Sequence, residues 1–177
     1  MPNEPFDPSF RGQALETTYF DTAAYALRKA RLSKSRYLTL RIRCYKSPDG
    51  DYSYALSAKT ESEKWRTELT SGRAELLLSG SATPAADLPA HLQARLTELG
   101  ADELVPVVTV CCHRYAVEDD QDRLTLDCCV HTDRGKQLGY GVLEYKSTDP
   151  DATPPGRVTR LGLRPLKLSK FLWATEV

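Results

Sequence analysis

Hydrophobic and polar residues alternate with a period of two along most of the chain, the spacing typical of β-strands with one buried face. The pattern predicts seven strands, at residues 14–20, 37–46, 51–59, 63–70, 105–117, 122–132 and 139–147. Between the second and third strands, Ser47-Pro48-Asp49-Gly50 is a strong turn signal. Long consecutive strands that are mostly joined by turns favour an antiparallel sheet or barrel.

Two segments have helical spacing instead. Asp21 or Thr22 is expected to cap a helix that ends at Leu32, and residues 88–99 form a leucine-striped helix that stops at Gly100. The predicted fold class is therefore α+β and β-dominated, an antiparallel β-barrel of up to eight strands with a few flanking helices. Residues 1–13 are expected to be a flexible arm, because they are proline-rich and aperiodic, and residues 14–177 a single domain.

The composition is that of a globular protein. The 177 residues are 41% hydrophobic and 27% charged, with 24 basic against 24 acidic side chains. We expect no membrane span, since no apolar run approaches the length of a membrane helix, and no nucleic-acid partner, since the net charge is zero. The N-terminus lacks the features of a signal peptide, so a cytoplasmic location is expected.

The five cysteines do not have the spacing of a zinc or redox site. Two adjacent pairs, Cys111-Cys112 and Cys128-Cys129, accompany Cys44. We interpret them as small buried hydrophobic residues in a reducing compartment. A disulfide between the two pairs is the less favoured alternative.

Charge is distributed unequally between the two faces of the predicted strands. Away from the strand ends, one parity has no Asp, Glu, Lys or Arg, and in the fifth strand it consists of Val107, Thr109, Cys111, His113 and Tyr115. Apart from Asp51 at the start of the third strand, the other parity carries three anions, Glu68, Asp127 and Glu144, and eight cations. The cations are Arg41, Arg43, Lys59, Lys64, Arg66, Arg114, Arg123 and Lys146.

Two interpretations of the basic face remain open. It is either an ordinary solvated sheet face or, if the sheet curls shut, the wall of a wet electropositive tunnel. The sign bias favours the tunnel, because solvated faces usually mix charges of both signs. Arginine outnumbers lysine five to three on this face, and the guanidinium fork suits phosphate oxygens. A polyphosphate would relieve the repulsion between the clustered cations.

Ordered motifs on these strands resemble the VTC domain, a branch of the triphosphate tunnel metalloenzymes related to the CYTH group. They span roughly residues 15 to 173. The motifs are Thr18-Tyr19-Phe20-Asp21-Thr22, Leu40-Arg41-Ile42-Arg43-Cys44-Tyr45, Ala58-Lys59 with Arg66 downstream, Val110 to Tyr115, Arg123-Leu124-Thr125-Leu126-Asp127, Val142-Leu143-Glu144-Tyr145-Lys146 and Leu168-Ser169-Lys170-Phe171.

The resemblance implies an eight-stranded tunnel around a linear phosphate chain. Eight cations would be both catalytic and substrate-binding: Arg41, Arg43, Lys59, Arg66, Arg114, Arg123, Lys146 and Lys170. Ser169 would add a hydroxyl, and Glu144, with Asp127 as the weaker candidate, would hold a divalent manganese or magnesium ion. The partner would be polyphosphate, triphosphate or ATP, and the implied activity is metal-dependent phosphoryl transfer, foremost polyphosphate synthesis from ATP. Hydrolysis of triphosphate or polyphosphate, or binding without turnover, are the alternatives.

One departure from the pattern of the superfamily bears on whether this chain is active. Members of the superfamily open with a strand of alternating acidic and basic residues, and residues 4–11 do not form such a strand. The chain is then truncated, or has lost the strand, or receives it from a partner chain at an unpaired sheet edge. Enzyme, non-catalytic phosphate binder and β-rich interaction domain are the three hypotheses that the structure can separate.

Overall fold

Seven strands form one antiparallel sheet. The structure is a computed structural model, and it describes residues 12–176 apart from 35, 48, 119–120, 150, 155, 161 and 164–165. The strands are β1 (Gln13–Asp21), β2 (Thr39–Lys46), β3 (Tyr52–Lys59), β4 (Lys64–Leu69), β5 (Val105–Glu118), β6 (Asp122–Thr132) and β7 (Val142–Ser147). Their order across the sheet is β4-β3-β2-β1-β5-β6-β7. The predicted strands are confirmed, while the predicted arm falls largely outside the described residues.

Short helices flank the sheet. They are α1 (Ala26–Ser33), α2 (Ser71–Leu78), α3 (Ala90–Glu98), α4 (Gly156–Thr159) and α5 (Lys170–Thr175), with a 3-10 turn at Pro84–Asp87. The β-dominated α+β class is confirmed. The sequence analysis did not predict α2 or α5. None of the helices in the described part of the chain has the length and apolarity needed to cross a lipid bilayer.

The larger core lies on the convex side of the sheet. Leu40 and Ile42 of β2 and Leu56 of β3 are completely buried there, against leucines of α2 and α3. Thr70 caps α2 by accepting a hydrogen bond from the backbone N–H of Arg73. These helices bury the apolar parity of β2 and β3, as the alternation predicted.

A second core lies on the concave side, where α5 packs against β1 and β5. Phe171 of α5 is buried against Tyr19, with 5.2 Å between the ring centroids. The buried residues of β5 include Val108, Val110 and Cys112, which share the parity of Arg114. The predicted core parity of β5 is therefore only partly correct: Val107 is buried but His113 is exposed, because the unpredicted helix α5 covers the opposite face.

Both residues that were predicted as caps accept hydrogen bonds from the first turn of α1, although the helix itself begins at Ala26. Asp21 is completely buried and accepts hydrogen bonds from the backbone N–H groups of Leu27 and Arg28, at 2.8 and 2.9 Å. Thr22 accepts from the N–H of Ala26 at 3.0 Å. Burial raises the pKa of Asp21, although these N–H donors oppose the shift. The cap fixes α1 beside β1.

The sheet curls so that its two edge strands face one another across a cavity. Lys64 of β4 and Lys146 of β7 line the same space, although the described residues of β4 and β7 form no ladder with each other. All five cysteines are free thiols. The concave face of the curled sheet is the face that carries the cations of the sequence pattern.

Candidate functional site

The concave face contains a lobe lined by cations. We call it the cationic lobe; its volume is about 220 Å³, and it contains no carboxylate among its lining residues. Eight of its lining residues are Arg41, Arg43, Lys59, Lys64, Arg66, Arg114, Arg123 and Lys146. They are the same eight cations that share one strand parity in the sequence. Three strands on each side of β1 therefore direct their basic side chains into one space.

A second lobe adjoins the first and carries anions as well. This mixed lobe has a volume of about 300 Å³ and is lined by residues of both sheet halves, by Arg31 of α1 and by the start of α5. It shares six cations with the cationic lobe: Arg41, Arg43, Lys59, Lys64, Arg114 and Lys146. Asp127, Glu144, Ser169 and Lys170 are added here. Every site residue that the sequence analysis named therefore lines one of the two lobes.

Like charges lie directly opposite each other in the cationic lobe. Lys59 of β3 pairs across the ladder with Lys64 of β4, and Arg123 of β6 pairs with Lys146 of β7. Such pairs destabilise a sheet, since the side chains of opposite residues are close neighbours. The repulsion has no structural benefit in the free protein. A bound anion would remove it.

Arg43 is the most constrained of these cations. Burial and the neighbouring charge of Arg41 lower the pKa of Arg43, and Arg114 adds to the effect. Its Nε atom is buried without a hydrogen-bond partner, and so is the Nε of Arg123. Arg43 has no salt bridge within the described residues, and Arg123 has a loose one, 3.7 Å from Nη1 to Glu118. Two unsatisfied guanidinium donors therefore belong to the wall of the cationic lobe.

Tyr45 extends the basic cluster, although it was not among the predicted site residues. Burial would raise the pKa of Tyr45, but the hydrogen bond from Arg43 and the charges of Arg66 and Arg114 outweigh it and lower the pKa. The guanidinium of Arg66 lies 5.5 Å from the centroid of the Tyr45 ring. The phenol thus helps to hold the arginines in place.

The mixed lobe contains a buried cluster of three charges. Arg114 donates from Nε and Nη2 to the two carboxylate oxygens of Asp127, at 2.6 and 2.7 Å. Lys170 also donates to Asp127. Burial alone would raise the pKa of Asp127, but Arg114 and Lys170 hold it below the usual range. The hydrogen bond to Asp127 raises the pKa of Arg114 in turn.

The carboxylates of the lobe do not suit a divalent cation held by the protein. Both oxygens of Asp127 bind cationic groups, and Glu144 lies 3.1 Å from the ammonium of Lys146. The part of the chain that the structure describes has no group of three or more His, Cys, Asp or Glu side chains able to hold a metal ion. A Mg²⁺ ion is usually bound through one or two carboxylates together with waters and substrate phosphates, and those carboxylates must be free to coordinate it. The described residues thus do not fit the expected metal site at Glu144 and Asp127.

Three residues of the site went unpredicted. Arg31 stacks on Tyr37, 3.7 Å from the ring centroid, and reaches the mixed lobe from α1. Tyr19 lines the same lobe and Tyr45 supports the arginines. Tyr45 shares the parity of Arg41 and Arg43, so strand alternation was a usable signal for it. Strand alternation could not predict Arg31 as a site residue, because Arg31 lies on helix α1 and not on a strand.

Comparison with solved structures establishes the fold. A crystal structure of a protein described as a putative adenylate cyclase from Bacillus halodurans matches with a TM-score of 0.63 and 18% sequence identity, over 93% of this chain and 83% of that chain. A putative adenylyl cyclase from Hippeastrum, described as having a dominant triphosphatase activity, matches with a TM-score of 0.46 and 15% identity, over 85% of this chain and 71% of that one. No protein-family model and no curated protein sequence matches the chain.

The chain therefore shares the fold of the Bacillus halodurans protein, the CYTH-like tunnel fold that the sequence motifs predicted. An identity of 18% carries the fold and not the activity. The assignment to the VTC branch remains a prediction.

Proposed function

We propose that this protein binds a linear oligophosphate, such as inorganic triphosphate or the triphosphate of a nucleotide, along the cationic lobe. The observation that carries the proposal is the convergence of eight cations on one lobe without a lining carboxylate. Guanidinium groups bind phosphate oxygens through paired N–H donors, and lysines add point charges. A chain of linked phosphates supplies the several negative charges that this cluster lacks.

Two further features support an anionic ligand. The buried Nε atoms of Arg43 and Arg123 lack acceptors, and an unsatisfied buried donor costs about 1–3 kcal/mol. The cross-strand pairs Lys59/Lys64 and Arg123/Lys146 place like charges side by side. A phosphate chain would accept hydrogen bonds from these Nε atoms, and its negative charge would neutralise the paired cations. An ordinary solvated face requires neither feature.

The direct test is calorimetric titration with tripolyphosphate in metal-free buffer. We expect saturable binding by the native protein and at least 100-fold weaker binding by the double variant Arg41→Ala/Arg43→Ala, since a hydrogen bond to a charged group contributes about 1.5–3 kcal/mol. The control is Lys29→Ala, which removes an exposed cation of α1 that lines neither lobe. Binding should also weaken as salt increases. No heat of binding, together with no rise in melting temperature, would contradict the proposal.

Phosphoryl transfer on the bound chain is the finer function that the VTC resemblance implies. The cation cluster supports the alignment and charge neutralisation on which such a reaction depends. Polyphosphate synthesis from ATP and hydrolysis differ in whether a terminal phosphate or water attacks. Incubation with ATP or with tripolyphosphate, with and without Mn²⁺, followed by analysis of chain length and released phosphate, distinguishes them. Turnover that survives in Arg41→Ala/Arg43→Ala would come from a contaminant.

A further inference from the structure

Asp127 is the most buried carboxylate of the candidate site, and it faces a cavity suited to anions. Its side chain is 4% exposed, against 50% for Glu144. It lies directly opposite Arg114 in the β5–β6 ladder, and the bidentate contact occupies Nε and Nη2 of that guanidinium. The Nη1 group of Arg114 and the remaining N–H bonds of the Lys170 ammonium are not used by Asp127.

The same carboxylate connects the C-terminal helix to the wall of the cavity. Lys170 is the first residue of α5, where Ser169 caps the helix by accepting from the N–H of Leu172. Among the described residues, further polar contacts to α5 lie in its second half, where Arg28 donates to the hydroxyl of Thr175 at 3.1 Å and Lys136 donates to the carbonyl of Trp173 at 2.6 Å. Within the mixed lobe, α5 is thus attached to the sheet through the contact of Lys170 with Asp127.

Without Asp127, Arg114 and Lys170 would be two neighbouring buried cations. Their side chains are 12% and 20% exposed, so water would screen their repulsion poorly. Each long side chain would then swing away toward solvent. The carboxylate holds both in one place, and removing one member of a buried ion pair leaves the rest uncompensated.

We propose that Asp127 is a positioning residue, which holds Arg114 and Lys170 where both can bind the phosphate chain, and that it is not a metal ligand. This rests on the proposed function. The positioning role predicts a change in anion affinity opposite to the one that simple electrostatics predicts. Removing a negative charge from an anion site should strengthen anion binding through the Coulomb term, yet neutralising Asp127 should weaken it.

The test compares two neutralising variants by titration with tripolyphosphate in metal-free buffer. Asp127→Asn should raise the dissociation constant at least tenfold, because two cations lose their fixed geometry. Glu144→Gln is the matched comparison, since it removes an exposed negative charge of the same lobe, and it should tighten binding up to several-fold. Equal or tighter binding by Asp127→Asn would overturn the positioning role.

A double-mutant cycle separates positioning from general damage to the fold. If Asp127 acts through Lys170, Asp127→Asn should cost clearly less affinity in a Lys170→Met background than in the native protein. Full additivity of the two losses would overturn a role through Lys170. Should Asp127→Asn fail to fold, Asp127→Glu keeps the charge but moves it by one methylene. Positioning then predicts at least several-fold weaker binding, and unchanged affinity would contradict it.

The outcomes distinguish this inference from the proposed function. If the native protein does not bind tripolyphosphate, the proposed function fails first. If the native protein binds and only the Asp127 variants behave otherwise than expected, the inference alone fails. Titration of the free protein with Mn²⁺ completes the test: binding that Asp127→Asn abolishes, with tripolyphosphate affinity unchanged, would show that Asp127 is a metal ligand after all.

Discussion

The two lobes of the cavity differ in how they compensate buried positive charge. In the mixed lobe, Asp127 neutralises Arg114 and Lys170 within the protein itself. In the cationic lobe, Arg43 has no carboxylate partner among the described residues, and its Nε lacks an acceptor. The ion pairs with Asp127 hold the side chains of the mixed lobe in place. The unpaired Nε of Arg43 remains available to donate a hydrogen bond to a ligand. A ligand is therefore expected where compensation is missing.

The comparison predicts opposite stability effects for two buried arginines. Arg114→Met should lower the free energy of unfolding by about 3–5 kcal/mol, because it leaves the buried carboxylate of Asp127 with Lys170 alone. Urea denaturation without ligand measures the change. A loss below about 1 kcal/mol would show that the ion pair does not support the fold.

Arg43→Met should instead raise the stability of the ligand-free protein, by about 1–3 kcal/mol. The substitution removes a buried charge with an unsatisfied donor and replaces it with an apolar side chain of similar length. The stabilisation by tripolyphosphate should shrink at the same time. A stability loss similar to that of Arg114→Met would contradict the distinction between the lobes.

Acid unfolding should depend on Asp127. Its pKa in the folded protein lies below the ordinary value of 3.8, so its stabilising effect is complete above that pH and is lost as the pH falls further. Compared with Asp127→Asn, the native protein should lose up to about 1.4 kcal/mol more per pH unit in this acidic range. Parallel stability curves for the two proteins would mean that the carboxylate titrates normally.

The smallest expected effect is at the Lys59/Lys64 pair. Lys64→Thr removes one of two opposed like charges and places a β-branched residue in an edge strand, which should stabilise the free protein by about 0.2–1 kcal/mol. Tripolyphosphate affinity should fall slightly and depend less steeply on salt. The exposed helix variant Lys29→Ala provides the baseline for both measurements. A stability loss at Lys64 would indicate that the lysines do not repel each other.

Strand alternation predicted the cationic lobe because alternate residues of a strand stay on the same face of the sheet when the sheet curls. Arg41 and Arg43 are distant in sequence from Arg114 and Arg123, yet all four point to the same face of the sheet, so period two was sufficient to collect them. The partition between the lobes was not predictable, since it depends on the contact of Lys170 with Asp127. That contact requires the position of α5, whose six residues lack a clear helical pattern.

The parity of β5 shows the limit of the same rule. Alternation identifies two faces, but it does not say which face another element covers. Val108 and Val110 were assigned to the basic side by spacing, and α5 buries them there through Phe171. On the parity with His113, that residue is exposed, Thr109, Cys111 and Tyr115 are half-buried, and Val107 alone is buried. The first core was predictable because the leucines of the 88–99 segment marked the helix that covers it.

The most direct measurement of the central claim is a crystal structure of the protein with tripolyphosphate. The account predicts a phosphate chain along the cationic lobe, with phosphate oxygens accepting hydrogen bonds from the Nε groups of Arg43 and Arg123. Arg114 should remain bound to Asp127 in that complex. A chain bound outside the lobe, or an empty lobe at saturating ligand, would contradict it.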